Sequence, residues 1–251
     1  MEYYWGAITS TIDWCEENYK ITIYIAEFWN TISNLIIIGL SLYGLKNSLN
    51  NNIDYIFSIQ YISILFVGLG SSLFHCTLRY TEQQLDEIPM MMGLFIWIYI
   101  IYKKEWIKYL ILQKYLYLIL FTVCILYTIL HIKYNFTTIF QLTFGILVLF
   151  TAYKVYIYYK QIDNNELKKI VRIYYYSIIL ATFCWLIDYH YCNLINKLSF
   201  NLQFHAWWHI FSGINSYIGP VFMQYIRAKD NNQNPEIEYN YFNIPIIVIK
   251  N

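Results

Sequence analysis

Charged residues are scarce in this sequence. Of its 251 residues, 17 are Lys or Arg and 16 are Asp or Glu, so only 13% are charged, against about 25% in a typical soluble domain. Hydrophobic residues make up 58% of the chain and the mean hydropathy is +0.37, which excludes a disordered chain and argues against a soluble globular domain. A net charge of +1 gives no general attraction to nucleic acid. Five cysteines are too few for a dense disulfide scaffold.

Long apolar stretches are abundant instead, and they predict an all-α membrane protein. A spanning helix needs about 20 mostly apolar residues, and seven segments approach that length: about 28–46, 55–75, 87–102, 113–131, 136–158, 172–190 and 204–226. We therefore expect a seven-transmembrane helix bundle over residues 28–226, after a segment 1–27 and before a tail 227–251. The apolar patch Ile244 to Ile249 in that tail is expected to lie on the membrane or to be disordered.

Basic residues are distributed unequally between the two ends of such a bundle. With seven spans, 4 of the 17 Lys and Arg residues fall on the N-terminal side, namely Lys20, Arg79, Lys133 and Lys197, and the other 13 fall on the opposite side. Short loops rich in Lys and Arg stay in the cytosol. The sequence therefore predicts a luminal or external N-terminus and a cytosolic C-terminus.

Three of the five histidines fall in one layer of the predicted bundle, together with a carboxylate. His75 ends the second span, Asp86 begins the third, and His205 and His209 begin the seventh, so alternation of the spans brings all four to the N-terminal side. His205 and His209 are spaced i and i+4, on one helix face. Histidines at helix ends are more often interfacial residues, but this convergence favours a zinc site with three imidazoles and an open fourth position. Asp86 would then exchange protons with the metal-bound water, and Ser71, four residues before His75, would donate to an oxyanion.

A second group of oxygen-bearing residues lies before the first span. Asp13, Glu16 and Asn18 occur within six residues, and Glu27 precedes the span. With the backbone carbonyl of Trp14, they resemble the closely spaced ligands of a calcium loop. The alternative is a solvated acidic turn or a helix N-terminus that attracts acids, and composition alone favours this alternative.

Several blocks of the sequence resemble the alkaline ceramidases. They are Tyr4 to Gly6, Thr9 to Tyr19, Tyr24 to Asn34, Gly68 to Ser71, Phe74 and His75, Leu85 to Met90, and Gln203 to Ile210. They occur in the family order and at the family spacing, while the connecting spans match only in hydrophobicity.

The resemblance implies a seven-helix zinc hydrolase that cleaves ceramide in the endoplasmic reticulum or Golgi membrane, its acyl chain held among apolar helix faces. It implies Zn²⁺ on His75, His205 and His209, with Asp86 acting on the metal-bound water and Ser71 at the oxyanion. It also implies a regulatory Ca²⁺ site, which overturns the preference for a solvated turn; the ligands would be Asp13, Trp14 through its carbonyl, Glu16, Asn18 and Glu27.

The cysteines and the remaining polar residues give weaker indications. Cys15, Cys76 and Cys192 fall on the N-terminal side, where a disulfide could persist, and the resemblance suggests Cys15 with Cys192. Cys76 is expected to be a free thiol rather than a metal ligand, and Cys124 and Cys184 are expected to be buried within spans. Neither His131 nor His190 has a partner at ligand spacing. Asp188 is interpreted as an interfacial acid rather than a partner of a histidine.

Two other functions are compatible with seven helices. One is a zinc hydrolase or receptor similar to the adiponectin receptors, and the acidic block before the first span argues against it. The other is a transporter or receptor without catalysis, in which the three histidines would be unrelated to metal. The sequence does not indicate the oligomeric state.

Overall fold

The computed structural model of this chain is an all-α bundle followed by a β-hairpin. It describes residues 3–51, 53–106, 110–197 and 200–250, so residues 1, 2, 52, 107–109, 198, 199 and 251 of the predicted segments lie outside it. Within the described residues there are seven α-helices and two strands: α1 Phe28–Asn50, α2 Tyr55–Thr77, α3 Tyr80–Trp106, α4 Leu110–Tyr134, α5 Thr137–Lys160, α6 Asn165–Ile195, α7 Phe204–Asp230, β1 Asn234–Tyr239 and β2 Pro245–Lys250.

Five segments of the described residues are long and apolar enough to cross a membrane. They are Phe28–Asn50, Tyr55–Thr77, Tyr80–Glu105, Thr137–Lys160 and Asn165–Ile195. The apolar part of α4, Leu118–Tyr134, is shorter. Helix α7 is less apolar because it carries buried polar residues, among them His205, His209 and Gln224. The all-α prediction is confirmed, and the apolar helices indicate an integral membrane protein.

The bundle has apolar residues outside and many polar residues inside. Helix α1 packs between α2 and α7, with α3 against α2, α6 against α7, and α4 and α5 against α3. Along α1, Leu35, Ile36, Leu42 and Leu49 are exposed, whereas the residues buried against neighbouring helices include Asn30, Ser33, Asn34, Ser41, Asn47 and Ser48. Small and polar side chains are typical of helix contacts in membranes, where packing and hydrogen bonds hold the helices together.

Helix α3 begins earlier than the predicted third span. It starts at Tyr80, whose N–H donates to Thr9 Oγ1 at 2.9 Å, so Asp86 lies in the second turn rather than at the helix start. The hydropathy pattern placed the start near residue 87 because Asp86 and Glu87 are charged, yet both are buried. Pro89 lies inside the helix and has no N–H to donate to the carbonyl of Leu85.

Gly70 of α2 packs directly on that carbonyl. A Cβ added at Gly70 would lie 1.9 Å from Leu85 O and 3.0 Å from Asp86 N, which is far inside van der Waals contact. The absence of a side chain at residue 70 therefore lets α2 approach the turn of α3 that carries Asp86.

The C-terminal tail forms an antiparallel hairpin, so the expectation that its apolar patch is disordered is wrong. Strands β1 and β2 pair from Asn234–Lys250 to Tyr239–Pro245, and the hairpin packs against α7 and α1. Ile247 is fully buried, and Tyr217 Oη donates to Pro245 O at 2.7 Å. The apolar residues of the patch thus complete the bundle core. Their burial is possible because β1 and β2 supply hydrogen-bond partners to each other's backbone.

Candidate functional site

The candidate site lies at one end of the bundle, where four helices contribute. His75 is in the last turn of α2, Asp86 in the second turn of α3, and His205 and His209 in the first two turns of α7, while Glu27 immediately precedes α1. Helices α3 and α7 begin at this end of the bundle and α2 ends there, so the residues that they contribute lie in one layer.

His75, His205 and His209 form a buried group that could hold a metal ion. One ring nitrogen from each lies within 4.8 Å of the others, and the ring centroids are 4.6–5.1 Å apart. Among the described residues, this is the one cluster of three or more His, Cys, Asp or Glu side chains with that geometry. Three imidazoles with an open position suit zinc.

The hydrogen bonds behind two of the rings leave Nε2 unprotonated. His75 Nδ1 donates to Glu27 Oε2 at 2.5 Å, and its Nε2 is buried without a hydrogen-bond partner among the described residues. Ser33 Oγ donates to Asn30 O at 2.9 Å and lies 2.8 Å from His209 Nδ1, so its oxygen accepts a hydrogen bond from the Nδ1–H group. Outer partners of this kind fix the tautomer and orientation of metal-binding histidines. Both rings therefore fit a metal ion.

His205 is oriented by the N-terminal segment and by α6. Its ring stacks on Trp14 at 3.6 Å between centroids, and its backbone N–H donates to Asp188 Oδ1 at 3.3 Å. Asp188 Oδ2 also accepts from the N–H of Cys15 at 3.0 Å. Asp188 is buried, so its interpretation as an interfacial acid is wrong: it joins the N-terminal segment to the start of α7.

Ser71 and Asp86 lie beside the histidines, and both are buried. Ser71 Oγ is 3.5 Å from His209 Nε2, and the Asp86 side chain is close enough to Ser71 to interact with it electrostatically. The Ser71 hydroxyl thus lies on the side of His209 that would face a metal ion, and Asp86 lies next to Ser71.

The acidic segment is folded over the start of α1. Glu16 accepts from the N–H groups of Trp29 and Asn30 at 2.7 and 2.9 Å, which caps the helix, so the helix-terminus alternative describes Glu16 correctly. Glu27 Oε1 accepts from Trp14 N at 3.1 Å. Asn18 Nδ2 donates to Asp13 Oδ1 at 3.0 Å.

The electrostatics of this segment suit a cation. Burial raises the pKa of Glu16 to about 7 and that of Glu27 to about 8, and the neighbouring acids Glu27 and Asp13 add to the two increases. In the described part of the chain, no Lys or Arg forms an ion pair with Asp13, Glu16 or Glu27, and Asn18 Oδ1 is buried without a partner. Carboxyl groups without a Lys or Arg counterion are oxygen donors of the kind that calcium binds, and a cation beside them would favour their charged forms and oppose the rise in the two pKa values.

Cys15 and Cys192 are joined by a disulfide that spans 177 residues of sequence. It ties the acidic segment to the end of α6, and Asn201 Nδ2 donates to Cys15 O at 2.7 Å. Cys76 is a free thiol, and Cys124 and Cys184 are free and buried, as expected.

Sequence reasoning missed several residues around the site. His131 is buried, and its Nε2 donates to Glu87 Oε2 at 2.5 Å; the two are far apart in sequence, so no spacing pointed to this pair. His190 is exposed. Ser33 and Asn34, which both contact His209 Nδ1, could have been found from the polar stripe that they form with Asn30 on the buried face of α1.

Comparisons with known proteins show which proteins this sequence is similar to. A family model described as ceramidase matches residues 6–248. An alkaline ceramidase of Arabidopsis thaliana is 35% identical to this chain, over 98% of the chain and 95% of that protein. Alkaline ceramidase 3 of Mus musculus is 32% identical over the same shares. An alkaline ceramidase of Saccharomyces cerevisiae is 31% identical, over 89% of this chain and 78% of the yeast protein.

Proposed function

Because this chain belongs to the ceramidase family, we propose that it cleaves the amide bond of ceramide and releases a sphingoid base and a fatty acid, with zinc at the three histidines. The observation that carries the proposal is the buried His75, His205 and His209 group with Ser71 and Asp86 beside it. Amide hydrolysis needs a group that activates water and a group that moves protons, and this cluster offers both. The family match over residues 6–248 disfavours the receptor-like and transporter alternatives.

The proposed topology has all seven helices crossing the membrane, as one catalytic domain over residues 28–226. Residues 1–27 lie in the lumen of the endoplasmic reticulum or Golgi, and residues 227–251 lie in the cytosol. The 13 to 4 distribution of Lys and Arg supports this orientation. At the end of the bundle opposite the histidines, Lys103 and Arg227 both pair with Asp54.

Zinc fits the histidine group because the Nε2 atoms of His75 and His209 are unprotonated and the site leaves a position open. When bound there, zinc would polarise the amide carbonyl and lower the pKa of its water toward about 7. The chain itself holds the rings through Glu27 and Ser33 and excludes bulk water by burying all three histidines.

Asp86 and Ser71 carry out the remaining chemistry in this proposal. Asp86 accepts a proton from the attacking water and donates it to the departing nitrogen, since an amine anion is too poor a leaving group to depart unprotonated. A carbon–oxygen bond forms and the carbon–nitrogen bond breaks. The Ser71 hydroxyl donates to the carbonyl oxygen as negative charge develops there.

The Asp86→Asn variant is expected to lose hydrolysis while it retains metal. An amide of the same shape cannot accept the proton, so kcat should fall by about 10²–10⁴-fold, the range of general acid–base catalysis. Steady-state release of sphingoid base by purified protein measures the change, and elemental analysis measures the zinc.

Ser71→Ala is the variant with which Asp86→Asn is compared. It removes the hydroxyl beside Asp86 and leaves the carboxyl group, the proposed proton carrier, in place. An Asp86→Asn protein with wild-type kcat would exclude Asp86 as the proton carrier.

The acidic segment is proposed to bind calcium through Asp13, the Trp14 carbonyl, Glu16, Asn18 and Glu27. Glu27 supports a regulatory role because one carboxyl group contacts both Trp14 N and His75 Nδ1. A cation at Glu27 would therefore act on the orientation of a zinc ligand directly.

Purified protein with ceramides of several chain lengths provides the test. We expect about one zinc per chain, loss of hydrolysis after zinc is stripped, and recovery when zinc is returned. Calcium chelation should lower the rate without removing zinc. Folded protein that hydrolyses no ceramide would rule out the proposed activity, and full activity after zinc is stripped would rule out the metal.

A further inference from the structure

A second buried polar cluster links α3 to α4 and to the N-terminal segment. Glu87 Oε2 accepts from His131 Nε2 at 2.5 Å, and Glu87 Oε1 accepts from Gln83 Nε2 at 2.9 Å. Gln83 Nε2 also donates to Thr11 Oγ1 at 2.7 Å, and Gln83 Oε1 accepts from Thr11 N at 2.8 Å. We call these four residues the α3 clamp.

The Gln83 and Glu87 side chains of the α3 clamp are fully hydrogen-bonded, and of the buried members only His131 keeps a ring nitrogen, Nδ1, without a partner among the described residues. Gln83, Glu87 and His131 are all buried. Buried carboxylates and amides in a membrane helix are costly unless they are paired. None of the four residues belongs to the histidine group, so the need for a metal ligand does not explain them.

The position of the clamp on α3 relates it to the catalytic layer. Gln83 and Glu87 are four residues apart and lie on one face of the helix, and Asp86 is adjacent to Glu87, about 100° around the axis. A rotation of α3 about its axis would break the bonds to Thr11 and His131 and turn the Asp86 carboxyl group away from Ser71. Gly70 allows this close packing but offers no bond that resists such a rotation.

We infer that Gln83, Glu87 and His131 are positioning residues that fix the rotation of α3 and thereby hold the Asp86 carboxyl group against Ser71 and the histidine group. This inference rests on the proposed function, since it assigns the clamp an effect through Asp86. A displacement of a reacting group by 1 Å can reduce a rate by about 10²-fold. The clamp should therefore affect kcat and leave substrate binding unchanged.

Gln83→Leu is the most informative variant, because it breaks the bonds to Thr11 and Glu87 while His131 still pairs with Glu87. We expect kcat for ceramide to fall by about 10- to 100-fold with KM and zinc content unchanged. Gln84→Leu is the matched control: Gln84 is also buried, but neither of its amide atoms has a hydrogen-bond partner among the described residues, so its kcat should stay at the wild-type value.

A conservative variant keeps the test independent of folding. Glu87→Gln retains an acceptor for Gln83 and a donor that His131 can accept in its other tautomer, so it should keep most of the wild-type kcat. Glu87→Leu should lose activity as Gln83→Leu does.

The double variant Gln83→Leu/Asp86→Asn separates positioning from a general structural role. If the clamp acts through Asp86, Gln83→Leu should cause no further loss once Asp86 is replaced. An equal loss of kcat in both backgrounds, or a wild-type kcat for Gln83→Leu, would overturn the inference. Absence of hydrolysis by the wild-type protein would instead count against the proposed function.

Discussion

Replacement of His209 by alanine is expected to reduce ceramide hydrolysis to the level of a blank without protein and to release the bound zinc. Loss of an outer partner of a metal ligand alone reduces affinity or activity by about 10–100-fold, and loss of a ligand should exceed that. The two remaining histidines, His75 and His205, would hold the ion on one side only. The variant also leaves Ser33 Oγ, 2.8 Å from His209 Nδ1, without that partner.

His190→Ala is the matched control for this prediction. His190 is exposed on α6 and lies outside the histidine group, so its removal should change neither zinc content nor rate. Zinc per chain and initial rate should be measured on the same preparation. Zinc retained at the wild-type level by His209→Ala would refute the assignment of this ligand.

Gly70→Ala is expected to reduce hydrolysis by about 100-fold or to prevent the protein from accumulating in folded form. The new methyl carbon would lie 1.9 Å from Leu85 O, and a backbone carbonyl cannot move aside as a side-chain tip can. Overpacking of this kind typically destabilises by about 1–3 kcal/mol and sometimes by more. If the helices separate to make room, the turn that carries Asp86 moves with them, and such a displacement is expensive for catalysis.

The comparison for Gly70 is Gly145 on α5, where an added Cβ would meet no atom within 4 Å. Gly145→Ala should retain full activity and gain a little helix stability. Thermal unfolding in detergent, together with zinc content, distinguishes a folded but displaced site from an unfolded chain. Wild-type rate and melting temperature for Gly70→Ala would contradict the close approach of α2 to α3.

The gathering of His75, Asp86, His205 and His209 could be predicted from the sequence because it depends on only two regularities. Apolar lengths locate the helix ends to within seven residues, and consecutive spans run in opposite directions. The residues at the C-terminal end of one span and at the N-terminal end of the next must then lie at the same depth in the bundle. The i, i+4 spacing of His205 and His209 adds a common helix face.

Partners from distant positions could not be predicted in the same way. The pair of Glu87 and His131 depends on the rotation of two helices about their axes, which hydropathy does not specify. The bonds of Asp188 to the N–H groups of Cys15 and His205 require the N-terminal segment to fold back over α6 and α7.

The start of α3 and the fold of the C-terminal tail were predicted wrongly for a related reason. Hydropathy treats Asp86 and Glu87 as a boundary, whereas both are buried in α3, Asp86 beside Ser71 and Glu87 hydrogen-bonded to His131. In the tail, the apolar strand β2 pairs with the more polar strand β1, and Ile247 of β2 reaches the core. A hydropathy scale that scores one segment at a time includes neither the side-chain partners of a buried acid nor the pairing of two strands.

The disulfide between Cys15 and Cys192 makes a closed covalent loop of the chain from the acidic segment to the end of α6. His75 and Asp86 lie within this loop, while His205 and His209 follow it on α7. A chain leaves the ribosome with its N-terminus first. Of the three proposed zinc ligands, the closed loop therefore contains only His75 until α7, the last of the described helices, has been made. The ligand set is thus completed only once α7 has been made, and a product truncated before residue 205 would be a looped scaffold with a single ligand.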